Sequence, residues 1–113
     1  MSLDQTGLEF GRFLSYLSQR QQVVASNIAN ADTPGYQTKD IDFQFEFASL
    51  VKGQQPQTID APGLVAGPDG NNVNLDREAR LLAEDDVRFN LASTLLRGTL
   101  KSVQDAISGS TST

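Results

Sequence analysis

The chain has 113 residues, 14 acidic against 9 basic, and a net charge of -5, the wrong sign for neutralising phosphate backbones or anionic lipid, so nucleic acid is not an expected partner. It has neither cysteine nor histidine, which excludes disulfides, thiolate metal sites and cysteine nucleophiles and removes the commonest general base and transition-metal ligand. No catalytic residue, metal site, cofactor site or small-molecule substrate site is expected; no stretch is apolar enough to span a bilayer, and MSLDQTGLEF lacks the basic start and apolar run of a secretory signal.

One domain is expected over residues 1–113, mainly α-helical. Residues 1–32 read as the first helix, because Phe10, Leu17, Val24 and Ala31 recur every seven residues, joined by Leu14 and Ile28, and make one apolar seam. Pro34 disfavours helical geometry at Thr33, and Pro34-Gly35 suits the centre of a type II turn, so the helix should finish near Ala31.

Residues 33–74 form an irregular section punctuated by Pro56, Pro62 and Pro68. Within it Ile41, Phe43, Phe45 and Phe47 alternate as in a strand, whereas Asp42 could cap a short helix burying Phe43, Phe47 and Leu50; the helix is the favoured reading. Residues 53–66 show no periodicity and are expected to be mobile, and GPDGNN at residues 67–72 is turn chemistry.

Residues 75–108 read as the longest helix, with Asn74 as its cap, Asp76 and Glu78 in its first turn, and a frayed tail at residues 109–113. Leu75, Leu82, Phe89, Leu96 and Val103 repeat every seven residues, so the two helices are expected to pair as an antiparallel, coiled-coil-like hairpin held by Phe10, Leu17, Val24, Leu82, Phe89 and Leu96. Val87, Leu91 and Leu95 lie largely away from that seam, and a two-helix hairpin cannot cover both sides. Either the irregular section folds back over them or another chain does.

Polar candidates are few. Asn27 and Asn30 are either interface amides or, on sequence physics alone, a solvated residue and a helix terminator respectively. Asp85 and Asp86 read as a solvated charge pair, with Asp86 near the seam's edge.

The run ASNIANADTPGYQTKDIDF, residues 25–43, resembles the amino-terminal signature of bacterial flagellar axial proteins, and DGNNVNLDRE at residues 69–78 before a long helix is similar to the proximal-rod members. The resemblance implies a structural subunit whose paired helices pack against copies of itself and other rod and basal-body proteins, in the rod of the flagellar basal body. It also implies export without a cleaved signal, through the flagellum-specific export apparatus. Asn27, Asn30, Thr33, Pro34, Gly35 and Tyr36 match the shared axial motif, where the amides are expected to bond within an assembly interface. The alternative is a soluble cytosolic helix-binding or chaperone-like module that uses the same apolar face on a foreign helix.

Overall fold

A computed structural model of the chain describes residues 3–42, 52 and 57–111. Helix α1 runs over Leu3–Ala29, strand β1 over Lys39–Ile41, strand β2 over Thr58–Asp60 and helix α2 over Leu75–Thr111. The two helices lie antiparallel: Asn27 meets Glu78 near one end, Arg20 meets Asp85 in the middle, and Phe10 and Phe13 line a groove with Leu91 and Leu95 near the other. The molecule is a rod of 73 × 25 × 17 Å.

Each helix starts or stops where local chemistry dictates. α1 ends two residues before the expected Ala31, its last turn tightening as Asn30 N donates to both Ser26 O and Asn27 O. The chain then reverses through a turn in which Tyr36 N donates to Thr33 O at 3.2 Å, with Pro34 and Gly35 in its centre and Gly35 at φ 74°. That is the type II geometry expected of a Pro-Gly pair. Asn74 caps α2 by accepting from Arg77 N at 3.1 Å, and α2 continues through Gly98 to Thr111, into the tail expected to fray.

The middle section contains a strand pair. β1 and β2 run antiparallel with Lys39 opposite Asp60, Asp40 opposite Ile59 and Ile41 opposite Thr58, and Ala61 N donating to Thr38 O extends the ladder. Ile41 ends a strand, and Thr58–Asp60, within the stretch expected to be mobile, are held by pairing although their sequence shows no periodicity. Of the segment expected as a helix or strand over residues 41–50, residues 43–50, with Phe43, Phe45, Phe47 and Leu50, lie outside the described residues.

Tyr16, Leu17 and Ile41 form the core cluster, with Phe13, Val23 and Phe89 packed on it. On α2 the buried leucine is Leu81, 7% exposed, while Leu82 is 40% exposed and Leu75 lies open. The expected seam through Leu82 is therefore corrected. The turns of α2 facing α1 are occupied by Glu78 and Asp85, which have partners on α1, and this rotates the Leu75 and Leu82 row to the flank of the contact.

Candidate functional site

Three adjoining features occupy the helix pair: an amide clasp at one end, a chain of charges along the middle and an apolar groove at the other end.

The clasp is built from the two separated motifs. Asn27, on the last full turn of α1, is completely buried. Its Nδ2 donates to Lys39 O at 2.8 Å and Glu78 Oε2 at 3.0 Å, while its Oδ1 accepts from Tyr36 OH and Lys39 N, each at 3.0 Å. All four hydrogen-bonding positions of the amide are thereby used. Asn27 is not solvated, which corrects that reading; it is a buried amide between the two helices, with its hydrogen-bonding positions filled within the chain. Asn30 keeps a local role, with Nδ2 donating to Ser26 O at 2.8 Å and Oδ1 accepting from Thr33 Oγ1 at 3.1 Å. Thr33, Pro34 and Gly35 are exposed on the turn and Tyr36 is half-buried.

From the second motif, Asn71 Nδ2 donates to Asn30 O and Thr33 O, each at 2.8 Å, adding a second donor to carbonyls that already accept from Thr33 N and Tyr36 N. Asn72 Oδ1 accepts from Thr38 N at 2.6 Å, and its Nδ2 donates to Gln37 Oε1 at 3.0 Å. Gly70, at φ 82°, sits so close to Gly35 that a Cβ on it would lie 3.4 Å from the Gly35 Cα. Gly35 N donates to Asp69 O at 2.9 Å across the same contact. The turn after α1 and the turn before α2 are thus locked back to back.

The charge chain alternates in sign through Glu78, Arg77, Asp40, Arg20, Asp85 and Arg88. Arg77 reaches Glu78 Oε1 at 2.5 Å and Asp40 Oδ2 at 2.7 Å; Arg20 Nε stands 3.4 Å from Asp40 and 3.6 Å from Asp85; Arg88 stands 3.4 Å from Asp85. It ties α1, β1 and α2 together. Burial pushes the Asp85 carboxyl above the ordinary aspartate range, against the opposing pull of Arg20 and Arg88. Burial likewise raises the neighbouring Tyr16 hydroxyl, which Arg20 opposes. The expected solvated pair of aspartates is corrected accordingly: Asp86 is exposed and Asp85 is fully buried, because adjacent residues on a helix point about 100° apart. A signal for this was present: Arg20 and Asn27 are one heptad apart, as are Asp85 and Glu78.

The groove has a volume of ≈ 310 Å³ and is lined by Glu9, Phe10, Phe13, Arg88, Leu91, Ala92 and Leu95. Val87, Leu91 and Leu95, singled out as an intersubunit face, are 66%, 58% and 52% exposed. Of the expected seam residues, Leu17 and Val24 are buried, and Phe10, Phe89 and Leu96 are half-buried. Among the described residues no cluster could hold a metal ion, and no helix is long and apolar enough to cross a membrane.

The sequence profile of the flagella basal body rod protein family matches residues 14–37, the stretch from the middle of α1 to the turn. The chain is 33% identical over 121 residues to the flagellar basal body rod protein FlgB of Salmonella typhimurium, covering 85% of this chain and 88% of that protein. It is 31% identical to FlgB of Escherichia coli, covering 83% and 86%, and 30% identical to FlgB of Cereibacter sphaeroides, covering 94% and 95%. With the two motifs interlocked at the base of a helix pair and relatives aligned over most of its length, the chain belongs to the FlgB family of flagellar basal body rod proteins, structural proteins and not enzymes.

Proposed function

We propose that this chain is a subunit of the proximal rod that packs its helix pair side by side with copies of itself and with other rod proteins, after delivery by the flagellar export apparatus. The observation that carries the reading is the row Val87, Leu91 and Leu95, each more than half exposed on a helix already packed against α1 through Glu78, Asp85 and Ala92. Burying a leucine fully is worth about 1.5–3 kcal/mol, so a neighbour that covers this row and fills the adjoining groove gains substantially. The axial motif supports assembly indirectly. Its amides are consumed in bracing the base of the helix pair, and the rigid pair then presents the apolar row.

The test is assembly of Leu91→Ser with Leu95→Ser. Loss of rod assembly with helicity retained is the expected result, whereas loss of helicity on the same change overturns the reading by showing that the row belongs to the chain's own core.

A further inference from the structure

The charges inside the helix pair do not balance evenly. Asp40, Glu78, Arg20 and Arg77, the four from β1, α1 and the start of α2, cancel among themselves. Asp85 is the surplus anion. Its side chain is completely buried, its Oδ2 has no hydrogen-bond donor, and Arg20 stands 3.6 Å away, shared with Asp40. Its remaining partner, Arg88, is 48% exposed and only 3.4 Å close, so solvent screens much of that pull. The groups facing Asp85 are therefore Tyr16 and Arg20 from α1, Asp40 from β1 and Arg88 from its own helix.

We propose that Asp85 is a proton-operated clamp on the helix pair: taking up a proton in mild acid tightens the joint between α1, β1 and α2, and losing it loosens the joint. A buried carboxylate that lacks a full set of donors is costly, whereas the neutral acid leaves Arg20 wholly to Asp40 and the remaining buried charges balanced. The carboxyl is raised by burial, so the folded chain holds the proton more tightly than the unfolded one. Stability from this group is present below the unfolded-state aspartate value of about 3.9 and is lost as pH rises through the higher folded value. The direction is opposite to that of an ordinary salt-bridged aspartate. Most proteins loosen as acid protonates such groups; here one joint closes.

The test compares melting of the full chain with that of Asp85→Asn from about pH 7 down to about pH 4. The expected result is a melting temperature of the parent that rises relative to the variant by about 4 °C or more over that range. A difference that stays flat or narrows in acid overturns the proposal. Should Asp85→Asn fail to fold, the Asp85 carboxyl carbon is titrated by NMR in the parent and in Arg88→Gln. A midpoint above the ordinary aspartate value, moving higher without Arg88, sustains the clamp; a midpoint at or below that value, or one indifferent to Arg88, overturns it.

Discussion

Asn27 Nδ2 donates to Glu78 Oε2 at 3.0 Å, joining the last turn of α1 to the first turn of α2 through two completely buried polar side chains. Removing one partner takes a hydrogen bond from a buried atom of the other. Asn27→Ala also strips Tyr36 OH and Lys39 N of their acceptor, and each buried group left unsatisfied costs about 1–3 kcal/mol. A loss of about 3 kcal/mol or more in urea-denaturation stability is expected. Asn27→Asp should do at least as much damage, since it sets a second carboxylate against Glu78.

The two adjacent leucines of α2 separate the observed helix contact from the one that apolar periodicity suggests. Leu81→Ala should cost about 2–5 kcal/mol, as a core truncation does. Leu82→Ala, at the exposed flank, should cost less than about 1 kcal/mol. Chemical denaturation of both variants reads the difference directly, and equal costs would restore the Leu82 seam.

Glycines 63 and 70 share a left-handed backbone but differ in surroundings. A Cβ at Gly63 meets open space, so Gly63→Ala should lose only the backbone preference of about 1–2 kcal/mol. At Gly70 the new methyl also meets the Gly35 Cα at 3.4 Å, the short end of ordinary contact, against backbone that has little room to give. Gly70→Ala should therefore be the more damaging in thermal melting, and it should loosen the junction between the two turns.

Arg20 bridges two carboxylates from different elements. Arg20→Met should cost about 3–5 kcal/mol, because Asp85 is left buried with only Arg88 to offset it. Adding Asp85→Asn to that variant should recover part of the loss, a coupling that a double-mutant cycle measures. By contrast, the exposed pairs Arg80 with Glu84 and Lys101 with Asp105 should each contribute about 0.5 kcal/mol or less and fade in high salt.

Helix positions, the Asn74 cap and the Pro34-Gly35 turn were legible because each rests on interactions within a few residues. The apolar heptads announced a helix pair but misplaced its register on α2, since counting leucines ignores polar residues with partners waiting on the opposite helix. Asn27 was misjudged for the same reason: its donors and acceptors arrive from Tyr36, Lys39 and Glu78, and the last is 51 positions away. Asn71 and Asn72 looked like turn residues but follow the turn; that their amides brace the end of α1 and the approach to β1 is a long-range fact. The β1–β2 pair was hidden because three-residue strands carry too little pattern to be read alone.

The ribbon of Lys39–Ile41 against Thr58–Asp60 pinches the chain at the point where it leaves and rejoins the helix pair. Material spliced in between Ile41 and Thr58 hangs from a closed neck, and doubling the length of such a loop costs only about 0.6 kcal/mol. The Salmonella alignment spans 121 positions, more than the 113 residues of this whole chain, so members of the family differ in how much sequence they carry. A neck of this kind lets length be added or trimmed between Ile41 and Thr58 while α1 and α2 keep their register.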